Sequence, residues 1–122
     1  MLSFKNKYTH EERENEYLRM KSKFPERYCI ILEPANKNTT DIDKHKYLVP
    51  KDMTMSMFHQ IIRKRIKLPE EMTIIFFVNN TIPAMTNLVS ELYNEHKDKD
   101  GFLYIQYAQE NTFGSFHYSN NS

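Results

Sequence analysis

Hydrophobic positions along the chain form four short runs that are typical of β-strands. Residues 28–32, 46–49, 73–78 and 102–108 are rich in aliphatic, β-branched and aromatic side chains, which favour extended structure. Pro50 directly follows the second run, and proline cannot donate a hydrogen bond to a sheet ladder. The second run is therefore predicted to be a strand at a sheet edge.

Helical spacing predicts three helices around these strands. Thr9 and Glu12 have the spacing of a capping box, Pro25 ends the first helix, and Thr54 is placed to cap the second. Turns are predicted at 79–80 and 98–101. The apolar stripes are Tyr17, Met20 and Phe24, then Met57, Phe58, Ile61, Ile62 and Ile66, and lastly Met85, Leu88, Val89, Leu92 and Tyr93. The order helix, strand, strand, helix, strand, helix, strand predicts one mixed sheet packed on a helix.

Composition narrows the functional classes. The chain has 122 residues, enough for one domain. Its formal charge of +1 argues against a protein that binds nucleic acid or anionic lipid through its overall charge. The opening residues lack the apolar run of a signal peptide, and no stretch has the length of a membrane span. A single cysteine forbids an internal disulfide. We expect a cytosolic or nuclear protein.

Residues that carry catalytic chemistry are sparse. The chain has no phosphate-binding glycine loop, no Cys-x-x-Cys and no His-Glu-x-x-His, and its five histidines lack paired metal spacing. Cys29 lies inside an apolar run, where a small inert hydrophobe is the simpler interpretation than a nucleophile. We therefore expect no enzyme activity, no metal and no cofactor.

Two basic segments allow a binding function. The segment 63–67 is either the solvated face of an amphipathic helix or a basic surface for RNA or tubulin, and the near balance of charge favours the first. The segment 44–50 is either a lysine-guarded edge that avoids aggregation or an edge that accepts an extended peptide by strand addition. Periodicity alone does not separate these two.

Gly114 follows an aromatic strand and precedes a polar tail of eight residues, Ser115 to Ser122. A Phe-Gly pair at this place suits entry into a narrow protease cleft, because glycine has no side chain to obstruct it. An ordinary frayed chain end explains the same position. The residue pattern alone leaves both explanations open.

Five ordered segments resemble one known family. They are 24–27 (Phe-Pro-Glu-Arg), 43–50 (Asp-Lys-His-Lys-Tyr-Leu-Val-Pro), 62–66, 77–83 and 100–104, closing on Phe113-Gly114. In order and spacing they resemble the ubiquitin-like modifiers of autophagy, called autophagy-related protein eight, which include light chain three and GABARAP. The resemblance covers nearly the whole chain. It implies an α+β fold, a ubiquitin-like β-grasp with a four-stranded mixed sheet and two short N-terminal helices.

The resemblance also implies a modification pathway. Residues 1–24 are expected to form a helical extension, 25–114 the core and C-terminal glycine arm, and 115–122 a removable propeptide. A thiol protease would cleave between Gly114 and Ser115, and activating and conjugating enzymes would join Gly114 to phosphatidylethanolamine. The protein would be monomeric when soluble and bound to autophagosome membranes when lipidated. An unusual tail leaves open an adaptor that is never conjugated.

The resemblance further implies two pockets for receptor motifs of the aromatic-x-x-aliphatic type, with Arg27 and Arg65 as flanking basic residues. The chain departs from the family at Cys29, where proline is common, and at Met20 and Met53, where flexible thioethers replace branched or leucine side chains. The first pocket is expected at Glu16, Met20, Lys44, Lys46, Leu48 and Phe102. The second is expected at Tyr47, Val49, Pro50, Met53, Phe58 and Ile61.

Overall fold

The computed structural model describes residues 2–111. Gly114, Ser115 and the expected propeptide 115–122 lie outside these residues. The elements in chain order are α1 (Phe4–Lys7), α2 (His10–Lys23), β1 (Tyr28–Pro34), β2 (Lys46–Val49), α3 (Met55–Arg65), β3 (Met72–Phe77), α4 (Val89–His96) and β4 (Leu103–Asn111). Among the described residues, no helix is long and apolar enough to cross a membrane.

One sheet of four strands, in the order β2-β1-β4-β3, forms the centre of the fold. β1 runs parallel to β4, whereas the β1–β2 and β3–β4 pairs are antiparallel. This mixed sheet with preceding helices confirms the predicted fold class, and β2 lies at a sheet edge as Pro50 indicated. In the β1–β2 register Cys29 lies opposite Leu48.

The two faces of the sheet pack against different helices. One face carries the larger core, where strand residues such as Ile30, Leu32 and Ile105 pack with buried residues of α3 and α4. The other face carries a smaller cluster in which Cys29 and Ile31 pack beside the N-terminal helices. Side chains alternate between faces along a strand, so neighbouring residues of β1 supply both clusters.

Helix α3 corrects one sequence prediction. Thr54 caps it as expected, accepting a hydrogen bond from the backbone N–H of Met57 at 3.1 Å. Phe58 and Ile62 are fully buried, but Met57 is 47% exposed and Ile61 is 44% exposed. The predicted apolar stripe combined an inward and an outward face, because five apolar residues in ten positions span more than one side of a helix.

The strand at the other edge of the sheet, β3, is partly covered by α3. The Nε2 atom of His59 donates to the carbonyl oxygen of Ile74 at 2.9 Å, and its ring packs edge-on against Phe76 at 5.6 Å between centroids. A backbone acceptor of this edge strand is thereby satisfied from within the chain.

The N-terminal helices are fixed to the sheet by polar contacts. The Thr9–Glu12 capping box forms, with reciprocal hydrogen bonds of 2.9 and 3.1 Å. The backbone N–H of Phe4 donates to Glu33 at 2.7 Å, and Arg13 pairs with buried Asp100 at 2.8 Å. The extension is therefore held at the start of α1 and in the first turn of α2.

The predicted turn before β4 forms at Gly101, whose φ is +103°. Its amide donates to the carbonyl oxygen of Asp98 at 3.0 Å. The ring of Tyr17 lies over Gly101 so closely that an added Cβ would overlap it. Glycine is required here for two reasons: the positive φ angle, and the lack of room for a side chain beneath the Tyr17 ring.

We predict that Gly101→Ala lowers the free energy of unfolding by at least about 2 kcal/mol, since a strained φ and an overpacked contact each cost about 1–3 kcal/mol. Urea unfolding measures the change. Lys99→Ala is the matched control, because this side chain is exposed in the same turn. A loss below about 0.5 kcal/mol at Gly101, the scale of an ordinary surface change, would contradict the prediction.

Candidate functional site

The free edge of β2 is the centre of the candidate site. Backbone groups on an edge strand are available to a further strand. Arg27 lies beside this edge, and its guanidinium donates to the carbonyl oxygen of Leu48 at 3.5 Å. This long, exposed hydrogen bond covers the edge weakly, so an incoming strand can replace it.

The apolar residues expected in the first pocket meet in the smaller cluster. Buried Met20 from α2 and buried Phe102 pack together there, and Leu48 packs on them from β2. Tyr17 stacks edge-on against Phe102 with centroids 6.0 Å apart. The structure therefore brings three sequence-distant predicted residues into one cluster beside the β2 edge.

A polar bridge joins α2 and β2, the helix and the strand that border this cluster. Glu16 accepts hydrogen bonds from Arg19 at 2.9 and 2.8 Å and from Lys46 at 2.8 Å. These hydrogen bonds lower the pKa of the Glu16 carboxyl from 4.5 to about 2, and those from Arg19 have the largest effect. The bridge ties α2 to β2, and Lys46 is the only one of its residues on the edge strand.

The second set of predicted residues lies mostly in the larger core. Tyr47 and Val49 point to the α3 side of β2 and are buried with Met53 and Phe58. The rings of Tyr47 and Phe58 meet edge-on, with centroids 5.6 Å apart. Burial raises the pKa of the Tyr47 hydroxyl to about 12, and this hydroxyl donates to the carbonyl oxygen of Lys44 at 2.7 Å.

The remaining predicted residues surround these clusters at the surface. Pro50 is half-buried at the end of β2, and Ile61 is exposed on α3. Arg65 pairs with exposed Asp43 at 2.8 Å. The Lys44 ammonium lies 5.1 Å from the centroid of the Tyr47 ring. Any acidic ligand must compete with Asp43 for Arg65.

Both clusters are closed in the structure as described. Phe102 and Phe58 have no exposed surface, and Met20 and Met53 have little. An anchor side chain therefore enters only after its cluster opens. Met20 and Leu48 border the first cluster and Met53 the second, and methionine adjusts its rotamers more readily than branched residues do.

Cys29 belongs to the first cluster and is fully buried. Burial raises the pKa of its thiol to about 11, which keeps the nucleophilic thiolate scarce near neutral pH. This agrees with the sequence interpretation of an inert hydrophobe. No group of three or more His, Cys, Asp or Glu residues within 2–111 has the arrangement of a metal site.

Sequence reasoning missed residues that complete the first cluster. Ile31 is fully buried in it, and Tyr17 packs against it. The alternation of β1 carries the signal for Ile31, because it lies two positions from Cys29 and so on the same face. For Tyr17 the signal is long-range, because its partner Gly101 is eighty-four positions away in the sequence.

The Glu16 bridge gives a prediction about pH. A carboxylate whose pKa is lowered on folding stabilises the protein above its unfolded pKa of 4.5, and this stabilisation disappears as pH falls towards 2. Glu16→Gln should therefore cost about 1 kcal/mol at pH 7, allowing for solvent screening, and progressively less between pH 4.5 and 2. Urea unfolding across this range measures it. Glu14→Gln, exposed on the same helix, should have no comparable effect, and an equal loss at pH 7 and pH 2.5 would refute the bridge.

Curated relatives resemble this chain over nearly its full length. A family model described as "Autophagy protein Atg8 ubiquitin like" matches residues 12–114. Autophagy-related protein 8 of Vanderwaltozyma polyspora is 53% identical over 114 residues, which are 93% of this chain and 97% of the relative. Autophagy-related protein 8d of Arabidopsis thaliana is 48% identical over 115 residues, covering 93% and 96% of the two chains.

Solved structures agree with these relatives. The crystal structure of Trypanosoma brucei ATG8 superposes with a TM-score of 0.82 at 33% identity, covering 93% of this chain and 99% of that one. Plasmodium falciparum Atg8, solved in complex with a Plasmodium falciparum Atg3 peptide, gives a TM-score of 0.79 at 34% identity, covering 88% and 96%. With its helices, mixed sheet and ordered motifs, the chain belongs to the Atg8 family of ubiquitin-like autophagy proteins, which are modifiers and not enzymes.

Proposed function

We propose that this protein is processed after Gly114, is conjugated to phosphatidylethanolamine on autophagosomal membranes, and there recruits receptors through aromatic-x-x-aliphatic motifs. The observation that carries the recognition part is the position of the two clusters on opposite faces of the sheet at the β2 edge. In an extended peptide, residues i and i+3 point to opposite sides. A motif with this spacing that adds to β2 presents one anchor to each cluster.

The energetics of such a complex suit reversible recruitment. Burying one aromatic and one aliphatic anchor contributes about 1.5–3 kcal/mol each, and backbone hydrogen bonds to β2 add about 1 kcal/mol apiece. Ordering the peptide and opening the clusters offset part of this gain. The balance supports micromolar affinity, about −8 kcal/mol, and many copies on one membrane raise the avidity further.

The charges around the edge support binding of an acidic flank. Arg27 and Lys46 lie at the free edge, with Lys44 just before β2, and in the described part of the chain Lys44 and Arg27 have no carboxylate partner. Lys46 is held by Glu16 and Arg65 by Asp43. Acidic residues next to a motif can therefore pair first with Lys44 and Arg27, and rim pairs of this kind contribute about 0.2–1 kcal/mol each.

Covalent attachment supplies the membrane affinity that the composition lacks. The formal charge is +1, and each basic residue near an anionic membrane contributes only about 1 kcal/mol, which acidic residues offset. The two acyl chains of phosphatidylethanolamine contribute about 0.8 kcal/mol per buried methylene, enough for stable anchoring. Membrane residence would then depend on Gly114, with the protein cytoplasmic and monomeric before conjugation.

The proposed pathway needs enzymes that recognise this chain. Plasmodium falciparum Atg8 has been solved with an Atg3 peptide, and we propose that a conjugating enzyme of that class also binds this protein. An activating enzyme and a processing thiol protease complete the set. In this proposal residues 1–24 are the helical extension, 25–114 the core with its glycine arm, and 115–122 the propeptide.

The recognition site is tested by binding to a Trp-x-x-Leu peptide. Lys46→Ala combined with Leu48→Ala removes one flanking charge and one wall of the first cluster. We expect the dissociation constant to rise at least about tenfold, which corresponds to about 1.4 kcal/mol. Isothermal titration calorimetry measures it.

The matched control for that experiment is Lys64→Ala combined with Leu18→Ala. Both of these side chains are exposed, on α3 and α2 respectively, and the double change should leave the affinity unaltered. Equal affinity of the Lys46/Leu48 variant and the native chain would reject the pocket assignment.

Processing and conjugation are tested by intact-mass spectrometry of the protein isolated from cells. We expect a mature form that ends at Gly114, part of it carrying the mass of phosphatidylethanolamine. Gly114→Ala should abolish the lipidated form, whereas Ser119→Ala in the tail should leave it unchanged. A protein that retains Ser115 throughout would instead support an adaptor that is never conjugated.

A further inference from the structure

We propose that the aromatic residues of the segment 112–122 dock into a groove beside α1 in the full-length chain, so that the protein partly covers its own binding surface. This groove, here called the α1 groove, lies between α1 and the segment that connects β1 to β2. The proposal concerns the chain before any cleavage and does not depend on the conjugation pathway.

The α1 groove is large and has an apolar lining. Its volume is about 1000 Å³, the size of a small-molecule or peptide-anchor site. Leu2, Phe4, Tyr8 and Pro34 line it. Leu2 is 66% exposed and Tyr8 is 39% exposed, so apolar surface at this place is left in water.

The charged side chains that line the groove are compatible with the binding of aromatic rings. Its two acidic residues have hydrogen-bond partners already, because Glu33 accepts from the Phe4 amide at 2.7 Å and Asp41 from the Ile42 amide at 2.8 Å. Lys7 and Lys37 also line the groove, and within 2–111 neither is paired with a carboxylate. The Lys7 ammonium already lies 5.7 Å from the centroid of the Tyr8 ring, so Lys37 is the more available of the two. An ammonium group without a carboxylate partner is attracted to the face of an aromatic ring.

The segment 112–122 has the matching composition. It contains Phe113, Phe116 and Tyr118 and no Asp, Glu, Lys or Arg. Docking of these rings would bury apolar surface without desolvating a carboxylate, ammonium or guanidinium side chain of the segment. Its docking should therefore respond little to salt, unlike that of an acidic peptide.

The last described residues of β4 lie close to the groove. Gln106 lines the groove, and Gln109 accepts a hydrogen bond from the Thr40 amide in the connecting segment. β4 ends at Asn111, two residues further, about 7 Å along a strand. The eleven residues that follow can extend about 35 Å, more than enough to turn back over the groove.

Because the segment belongs to the same chain as the groove, weak contacts are sufficient for it to dock. A docking segment attached to the same chain by a short connection has an effective concentration in the millimolar range. Two or three aromatic side chains on an apolar surface are then enough to populate the docked state. A separate partner would need much higher affinity to fill the same groove.

Docking would also reduce receptor binding, and this part rests on the proposed function. Lys44 and Lys46 line the α1 groove and belong to the expected first pocket. A docked segment therefore competes with the flank of a receptor motif. We expect the full-length chain to bind a Trp-x-x-Leu peptide about three- to tenfold more weakly than a full-length variant whose segment does not dock.

The decisive experiment uses ¹H–¹⁵N NMR of full-length protein with Phe116→Ser and Tyr118→Ser together. The control is Asn120→Ser with Asn121→Ser, in the same segment. Amide signals of Lys7, Lys37 and Thr39 in the groove should shift in the aromatic variant and not in the control, while that of Ser56 on α3 stays in place. Identical groove signals in all three proteins would overturn the proposal.

Further measurements distinguish this segment from other occupants of the groove and test docking separately from the proposed receptor binding. Leu2→Ser, at an exposed groove position, should produce the same loss of docking as the aromatic variant, and retained docking would count against the groove. Shifts that vanish on dilution would show that the segment of a second copy occupies the groove. Shifts that vanish in about 0.5 M salt, where charge–charge interactions are largely screened, would show an electrostatic contact. Either result overturns the proposal. If the segment docks but neither the native chain nor any variant binds a Trp-x-x-Leu peptide, the proposed receptor site is disproved and the docking proposal is not.

Discussion

One buried carboxylate holds the N-terminal helices in place. Asp100 is fully buried and accepts hydrogen bonds from Arg13 at 2.8 Å, from the Tyr104 hydroxyl at 2.5 Å and from the Phe102 amide at 2.9 Å. The same guanidinium donates to the carbonyl oxygen of Tyr8 at 2.9 Å, between α1 and α2. An unpaired charge in this position would be strongly unfavourable. The first cluster, the Glu16 bridge and the α1 groove all need the helices where this pair puts them.

The candidate site then follows from the geometry of a single edge strand. Because alternate residues of β2 face opposite sides, Leu48 belongs to the cluster under α2 and Tyr47 to the core under α3. The four residues of β2 therefore border two clusters. The cluster under α2 lies beside the Glu16 bridge, and both clusters contain aromatic rings packed edge-on.

Local patterns predicted the elements better than their orientation. The Thr9 capping box, the Thr54 cap, the glycine turn and the edge position of β2 were all readable from short sequence signals, and the structure confirms them. The outward face of α3 was not, because Met57 and Ile61 resemble core residues in sequence and only the position of the sheet decides which side is buried. Long-range pairs such as Tyr17 with Gly101 and Arg13 with Asp100 carry no local signal. The resemblance supplied the grouping of Met20, Leu48 and Phe102, which spacing alone left open.

The hydrogen bond from His59 to Ile74 makes the two edges of the sheet unequal. A sheet with two open edges can accept one neighbour on each side, and repeated addition leads to a fibre. In this protein the β3 edge has an acceptor satisfied from within at 2.9 Å, whereas the described residues cover the β2 edge with one long hydrogen bond from Arg27. The Ile74 carbonyl is therefore unavailable to a strand adding at β3, and this favours addition at β2. An asymmetry of this kind favours a closed pair of molecules over an open fibre.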